Sequence, residues 1–157
     1  MIDWRNATVM TFQRTATKLE RTNIAHTTSA LEDNTVMAAV MALTISGLAA
    51  DRFVFEGFLP PKPAARRKRL QALSGEPRTL VFFESSHRIE DCLADLEAAF
   101  GEDRPAAVCR ELTKRFETVL RGTLAELRSA VGSDPDQGRG EFVLVVSGSS
   151  VESEEGL

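Results

Sequence analysis

Polar side chains capable of acid–base chemistry directly follow the apolar run TLVFFE, residues 79–84. They are Ser85, Ser86, His87 and Arg88. A carboxylate or an imidazole can take a proton from a substrate hydroxyl, so Glu84 and His87 are candidate bases. The apolar run is typical of a buried strand, and in open α/β sheets ligands bind at the carboxyl ends of strands. The segment therefore predicts a binding or catalytic site.

A second group of charged residues lies in and after the run AAVCREL, residues 106–112. It comprises Arg110, Glu111, Thr113, Lys114 and Glu117. Charged groups at the point where a strand leaves the core need partners or a ligand, because an isolated buried charge is costly. Glu111 and a neutral Lys114 add two candidate proton acceptors.

Each of these residues also has a structural interpretation. Ser85 or Ser86 can cap the helix that follows, and Arg110 can form an internal ion pair with Glu111. Caps and ion pairs use the same residue types as active sites, so composition alone favours the structural interpretation over catalysis.

A basic run occupies residues 62–69, KPAARRKR, with five cations in eight positions. The whole chain has a formal net charge of -4, which argues against nucleic-acid binding through bulk charge. A local cluster can still bind phosphates, and its candidates are Arg66, Arg67, Lys68 and Arg69. The alternative is a solvated helix face, which the residues alone favour slightly.

Several classes of protein lack support in the sequence. Neither Cys92 nor Cys109 lies in a C-x-x-C pair, and no His/Cys cluster has zinc-site spacing, so no metal is expected. No stretch is long enough to cross a bilayer, and the start of the chain does not resemble a signal peptide. The sequence predicts a soluble cytoplasmic protein with no membrane partner.

The apolar patterns alternate between helical and extended periods. Helices are predicted over residues 35–47, 62–74 and 86–100 and from Thr123, and strands over 52–59, 79–84, 106–112, 117–121 and 141–148. Ala65, Leu70 and Leu73 are spaced for one face of the second helix, and Thr123 begins a capping box with Glu126. Two strands follow each other after residue 106 without a helix between them. The predicted fold is therefore α/β, a mixed β-sheet with flanking helices.

Four segments share their residue pattern, in order, with one known family. They are GLAADRFVFEGFLPPKPAARRK (47–68), TLVFFESSHR (79–88), RELTKRFETVLRGTLAEL (110–127) and GEFVLVVSG (140–148). The pattern resembles that of the ribosomal RNA small-subunit 2′-O-ribose methyltransferases, within the tetrapyrrole-methylase superfamily. Positions that depart from it include Ser86, which replaces a proline, Phe116, which lies where histidine is common, and Pro61, which replaces an arginine.

The resemblance implies a two-domain enzyme in which this chain corresponds to the C-terminal domain and S-adenosylmethionine binds between the domains. Such enzymes methylate a cytidine ribose of small-subunit ribosomal RNA and work as homodimers in the cytoplasm. Carried over by position, the catalytic candidates are Glu84, His87, Glu111 and Lys114. The cofactor-binding candidates are Ser85, Thr113 and Glu117. The substrate-binding candidates are Lys62, Arg66, Arg67, Arg88 and Arg110.

Three regions are predicted: a poorly structured segment unlike the family (1–33), a C-terminal methyltransferase domain (34–148) and an acidic tail (149–157). The glycine-rich segments that open the family's sequences should precede Val36, and the first region resembles none of them. A truncated or frame-shifted gene that lacks most of the cofactor site is therefore our working hypothesis.

Two other functions stay open. One is a non-catalytic RNA-binding or vestigial fragment, expected if the cofactor-binding half is absent. The other is a tetrapyrrole methyltransferase. The basic run argues against a tetrapyrrole, because a small macrocycle needs no extended basic surface.

Overall fold

A computed structural model of the protein describes residues 35–150. The chain forms two compact units, Met1–Met41 and Ala42–Leu157, and the boundary lies inside the first described helix. Of the first unit, the structure describes residues 35–41, which belong to that helix. The segment predicted to be poorly structured, 1–33, lies outside the described residues, as do residues 151–157 of the predicted acidic tail.

Helices and strands alternate along the described chain, except that two strands follow each other after residue 104, as the sequence predicts. In chain order they are α1 (Thr35–Ser46), β1 (Phe53–Phe58), α2 (Pro63–Leu73), β2 (Thr79–Ser85), α3 (Ile89–Phe100), β3 (Pro105–Arg110), β4 (Thr118–Thr123), α4 (Leu124–Ser133) and β5 (Glu141–Val146). The predicted α/β class is confirmed, and the bounds of the predicted elements shift by only a few residues. Within residues 35–150, no helix has both the length and the apolar character that crossing a bilayer requires.

The five strands form one sheet in the order β1-β2-β5-β3-β4. β1 and β2 are parallel, and every other neighbouring pair is antiparallel, so the sheet is mixed as predicted. β1, β2 and β3 therefore run in the same direction. Their carboxyl ends meet the amino ends of β4 and β5 at one edge of the sheet, which we term the carboxyl edge.

The main core lies between one face of this sheet and the helices α2, α3 and α4. It includes Leu70, Leu80, Phe82, Leu93, Leu96, Val108, Leu124, Leu127, Phe142 and Leu144. On β2, Leu80 and Phe82 point into this core, and the alternating Val81 and Phe83 on the opposite face are also buried. The continuous apolar run of β2 thus indicated a strand buried on both faces, and this is confirmed.

The inner face of α2 differs from the prediction at one position. Ala65 was expected there with Leu70 and Leu73, but Ala65 is exposed and Arg66 is buried instead. An arginine can take this position because its stem covers apolar surface while Asp95 receives its charge, at 2.7 Å from Nε. The spacing 66, 70, 73 was itself helical, but the charge of Arg66 hid the pattern.

The start of α3 also differs. Capping by Ser85 or Ser86 was the structural alternative, but the helix begins at Ile89, and its N-cap, Arg88, makes no side-chain capping bond. Residues 85–88 instead form a turn in which the N–H of Arg88 donates to the Ser85 carbonyl, at 3.1 Å. Two acidic residues in the first helical turn, Glu90 and Asp91, complement the helix dipole there.

The capping box predicted at the start of α4 is confirmed. The N–H of Glu126 donates to the Thr123 hydroxyl at 3.2 Å, and the N–H of Thr123 donates to the Glu126 carboxylate at 2.9 Å. Two backbone donors that the helix leaves unpaired are satisfied in this way.

We expect Thr123→Ala to lower the free energy of unfolding by about 1 kcal/mol, because the N–H of Glu126 loses its acceptor. Urea denaturation followed by circular dichroism measures the change. Thr123→Ser is the matched control, since it keeps the hydroxyl and should retain most of the stability. Equal losses in the two variants would show that the methyl group, rather than the cap, is responsible.

Candidate functional site

The carboxyl edge brings together the two charged segments that the sequence singled out. One is the turn after β2, and the other is residues 111–117 between β3 and β4, which we term the 111–117 loop. The amino end of β5 lies between them: Ser85 pairs with Glu141 in the sheet, and the N–H of Glu111 donates to the Glu141 carbonyl at 2.9 Å. Ser85, Glu141 and Glu111 therefore lie side by side across three neighbouring strands.

Glu84 lies inside the protein, where Arg88 balances the charge of its carboxylate. The side chain is buried, and its Oε1 accepts the N–H of Ser85 at 2.8 Å. The same oxygen lies 3.2 Å from Nε of Arg88, whose side chain is about one third exposed, at 33%. Arg88 in turn reaches the Ser85 hydroxyl at 3.4 Å. This arrangement ties the end of β2 to the start of α3.

His87 and Ser85 remain more accessible in the same turn. His87 is exposed, and Ser85 is half-buried with its hydroxyl 3.4 Å from the Glu84 carboxylate. Of the polar groups in this turn, the imidazole of His87 is therefore the one most open to a ligand.

On the other side of β5, Lys114 bridges two carboxylates. Its Nζ lies 3.0 Å from Glu141 Oε2 and 3.5 Å from Glu111 Oε2. The hydrogen bond to Glu141, assisted by the charge of Glu111, raises the pKa of Lys114 above its ordinary value. Lys114 therefore holds its proton more tightly and is a cation, which disfavours it as a proton acceptor.

The backbone of the 111–117 loop adopts unusual conformations. Glu111 and Thr113 have positive φ, 52° and 66°, which is rare for non-glycine residues and especially so for a β-branched one. Hydrogen bonds hold the loop in this form: the N–H of Thr113 donates to Glu117 Oε2 at 2.7 Å, and the N–H of Glu117 donates to the Lys114 carbonyl at 3.2 Å. Such strained backbone is common at binding and active sites.

Gly140 makes room for the Glu111 side chain. Its φ is +101°, and a Cβ placed on it would meet Glu111 Oε1 and lie 2.7 Å from Glu111 Cγ and Cδ. In that space Glu111 Oε1 accepts the N–H of Glu141 at 2.7 Å. The Glu111 carboxylate therefore accepts the first backbone N–H of β5 and is already hydrogen-bonded within the protein.

Arg110 lies on the helix-covered face at the end of β3. The sequence offered a structural interpretation in which it pairs with Glu111, and this was wrong: its Nη2 donates to the Thr118 hydroxyl at 3.1 Å and its Nη1 to the Arg139 carbonyl at 3.3 Å. Within the described part of the chain, its Nε is buried and has no hydrogen-bond partner. An unsatisfied buried donor is costly, so an acceptor from a ligand would be stabilising there.

The basic run is divided between internal and exposed cations. Arg66 is buried against Asp95, and Arg67, though largely exposed, also contacts Asp95 at 3.2 Å. Arg69 donates three hydrogen bonds to the Glu56 carboxylate, one from Nε and two from Nη2. Lys62 is exposed at the N-cap of α2, just after β1 ends at the carboxyl edge. Lys68 is exposed as well, so Lys62, Arg67 and Lys68 are the predicted phosphate ligands that face solvent on this helix.

Sequence reasoning missed three residues of this arrangement: Asp95, Gly140 and Glu141. Each acts on a residue about 30 positions away in the chain, so no local pattern reveals it. Gly140 had a weak signal, since a glycine directly before a strand often marks a special backbone conformation.

Neither a metal site nor a reactive thiol has support in the described residues. Between residues 35 and 150 there is no group of three or more His, Cys, Asp or Glu side chains that could hold a metal ion. Burial raises the pKa of the Cys109 thiol to about 12. Burial, with the nearby Glu84 carboxylate, also raises the pKa of Cys92. Both thiols therefore stay protonated and unreactive near neutral pH.

The chain resembles proteins of one family. The sequence profile of the tetrapyrrole (corrin/porphyrin) methylases matches residues 17–128. Relatives named ribosomal RNA small subunit methyltransferase I are 58% identical over 113 residues in Xylella fastidiosa, 53% over 111 in Pseudomonas aeruginosa and 46% over 118 in Escherichia coli O157:H7. These alignments cover 71–75% of this chain but only 39–41% of the relatives. The chain thus spans about two fifths of their length.

Solved structures agree on the fold. The structure of cobalt precorrin-4 methyltransferase, a cobalamin biosynthetic enzyme, matches with a TM-score of 0.53 and 20% identity, over 71% of this chain and 48% of that one. The methyltransferase CobJ matches with a TM-score of 0.51 and 17% identity, over 73% of this chain and 48% of its own. At these identities the likeness concerns the fold alone.

Substitution of Gly140 tests the close approach of Glu111. Gly140→Ala should lower the free energy of unfolding by more than about 1 kcal/mol, because alanine is strained at this φ and its Cβ collides with the carboxylate. Gly132→Ala, in α4 with open space around it, is the control and should cost nothing or add about 0.5–1 kcal/mol. Adding Glu111→Ala to Gly140→Ala should relieve the collision, so the loss in the double variant should be smaller than the sum of the two single losses. Urea denaturation of the wild type, Gly140→Ala, Glu111→Ala and the double variant measures this difference. Additive losses would contradict the close approach.

Thiol titration tests the burial of both cysteines. Because the pKa values of Cys92 and Cys109 are raised, the native protein at pH 8 should react slowly with a disulfide reagent such as dithionitrobenzoate. In guanidinium both thiols should react at once. Rapid release of one equivalent from the native protein would contradict the described packing.

Proposed function

Because the chain belongs to the tetrapyrrole (corrin/porphyrin) methylases, we propose that it is part of an S-adenosylmethionine-dependent methyltransferase acting on ribosomal RNA of the small subunit. The finer proposal is methylation of a cytidine ribose 2′-hydroxyl. The proposal also includes a cytoplasmic location and, for the full-length enzymes, a homodimer. Its support is the 46–58% identity to relatives that carry the ribosomal RNA name.

The observation that carries the proposal is the meeting of the two charged segments at one edge of the sheet. They are separated by more than 20 residues of chain, yet Ser85 and Glu111 flank the same residue of β5, Glu141. A ligand at this edge would therefore contact both segments, as a site at the carboxyl ends of strands requires.

The exposed polar groups of this edge suit the cofactor chemically. Ser85 offers a half-buried hydroxyl, Thr113 an exposed hydroxyl, and Glu117 a carboxylate whose Oε2 holds the loop while Oε1 makes no hydrogen bond to the described residues. Hydroxyls and a carboxylate oxygen can bind the hydroxyl and ammonium groups of S-adenosylmethionine, and we propose that these three residues do so. The bound cofactor supplies an electrophilic methyl group on a sulfonium.

Transfer to a hydroxyl requires alignment of the two reactants and removal of one proton. Of the four predicted acceptors, Glu84 is buried beside Arg88, the Glu111 carboxylate accepts a backbone N–H, and Lys114 is protonated. His87 is exposed, and its imidazole makes no hydrogen bond to the described residues. We therefore propose His87 as the group that takes the hydroxyl proton, with Lys114 as a fixed positive charge.

The substrate is proposed to bind through cations near the same edge. Lys62 and Arg67 face solvent and can contact phosphates, and the buried Nε of Arg110 lacks an acceptor that a phosphate oxygen would supply. We propose that Arg66 and Arg88 act indirectly instead, since their charges are matched by Asp95 and Glu84.

Two alternatives have specific support. The solvent-facing cations Lys62 and Arg67 would serve a non-catalytic RNA-binding protein equally well. The family is described as tetrapyrrole (corrin/porphyrin) methylases, which favours a tetrapyrrole substrate, but the relatives that are 46–58% identical carry the ribosomal RNA name. Competition between ribosomal RNA and a porphyrin in a filter-binding assay distinguishes these substrates.

If this chain carries the activity by itself, it binds S-adenosylmethionine in calorimetry and transfers tritiated methyl groups to small ribosomal subunits that lack the modification. His87→Gln should reduce the transfer rate by about 10²–10⁴-fold without changing the heat of cofactor binding. His26→Gln, at the other histidine of the chain, is the control and should transfer at the wild-type rate.

The outcomes separate the hypotheses. No heat at millimolar cofactor together with retained RNA binding would establish the non-catalytic alternative. Full activity of His87→Gln would remove this histidine as the proton acceptor and leave the methyltransferase proposal intact.

A further inference from the structure

Phe116 is the most exposed of the large apolar side chains that the structure describes. It is 69% exposed, compared with 63% for Phe58, 45% for Phe55 and 41% for Phe53. Phe55 and Phe58 contact the ring of Phe83 at centroid distances of 5.3 and 5.7 Å, so they belong to an aromatic cluster on the sheet. Phe116 instead lies on the 111–117 loop, within the site, and is not among the candidate catalytic, cofactor-binding or substrate-binding residues.

The loop holds this ring in a defined position. The N–H of Lys114 donates to the Glu111 carbonyl at 3.0 Å, the N–H of Glu117 to the Lys114 carbonyl at 3.2 Å, and the N–H of Thr113 to the Glu117 carboxylate. Glu111 is itself bonded to the start of β5. The residues on both sides of Phe116 are thus fixed to the sheet, so little conformational entropy is lost when the ring binds a ligand.

Cations accompany the ring. The guanidinium carbon of Arg115 lies 5.6 Å from the ring centroid of Phe116, and the ammonium group of Lys114 is on the same short loop. An accessible aromatic face beside cations is the combination with which proteins bind single-stranded nucleic acid. The ring stacks on an unpaired base, and the cations contact the adjacent phosphates.

We infer that Phe116, with Arg115, forms a stacking platform for an unpaired RNA base next to the nucleotide that is methylated. The inference rests on the proposed ribosomal RNA substrate and deepens it, because it requires that the target region be single-stranded where it meets the 111–117 loop. A duplex would present no free base face to this ring. The platform positions the substrate and takes no part in the chemical step.

Binding of a fluorescein-labelled, single-stranded RNA oligonucleotide to the full 157-residue chain, followed by anisotropy, tests the inference. Phe116→Leu keeps an apolar side chain but removes the π face, and it should raise the Kd about tenfold. Phe116→Trp should restore or tighten binding. The matched control is Phe53→Leu. Phe53 is also exposed but lies at the amino end of β1, away from the carboxyl edge, so this variant should bind as the wild type does.

Two further measurements separate stacking from a general effect on structure. In a Trp4→Phe background, Phe116→Trp places the sole tryptophan on the loop, and its fluorescence should be quenched by single-stranded RNA and much less by duplex RNA. Arg115→Gln should reduce the slope of log K against log salt by about 0.7, the value of one phosphate contact, whereas Phe116→Leu should leave that slope unchanged.

The failures are distinguishable. If the wild type binds RNA and Phe116→Leu binds equally well, or if the introduced tryptophan is not quenched, the platform is refuted while the proposed function stands. If the wild type binds neither single-stranded nor duplex RNA, both are refuted. Binding that prefers the duplex would also overturn the platform, because a paired base cannot stack on the loop.

Discussion

At the carboxyl edge, the carboxylate of Glu111 accepts the N–H of Glu141 while its own N–H donates to the Glu141 carbonyl. One residue thereby satisfies both backbone groups at the start of β5, and it does so only because Gly140 leaves space for its side chain. This contact joins the end of β3, the 111–117 loop and β5 into one unit. The positions of Lys114 and Phe116 follow from it, since both are carried by the loop that Glu111 anchors.

Buried and solvent-facing charged side chains serve different purposes. On the helix-covered face, Arg66 with Asp95 and Arg88 with Glu84 form short ion pairs that fasten α2 and α3 to their neighbours. A buried charge that is matched in this way is costly to disrupt and is not free to bind a ligand. The residues that remain for binding are those whose charges or hydroxyls face solvent.

The edge therefore contains a rigid frame and an accessible surface. The frame consists of backbone bonds made by carboxylates, including the one from Glu117 that holds Thr113 at positive φ. The surface consists of His87, the exposed ring of Phe116 and the solvent-facing cations Lys62, Arg67, Lys114 and Arg115. In such an arrangement a strained loop is stabilised by its surroundings and presents its side chains with little freedom, which suits a task of alignment.

Local patterns in the sequence determined most of the fold. The apolar run of β2, the helical pattern within residues 86–100 and the capping box at Thr123 all correspond to elements of the structure, because each depends on residues close together in the chain. The sequence also located both segments of the candidate site.

Only the tertiary structure decided what the charged residues do: whether Arg66 faces inward, whether the charge of Glu84 is balanced, and whether Glu111 binds a ligand or the backbone. These outcomes depend on Asp95, Arg88 and Gly140, and on the strand register that brings Glu141 beside Glu111. Pairing across some 30 residues is set by how helices and strands pack, which no short stretch of sequence specifies.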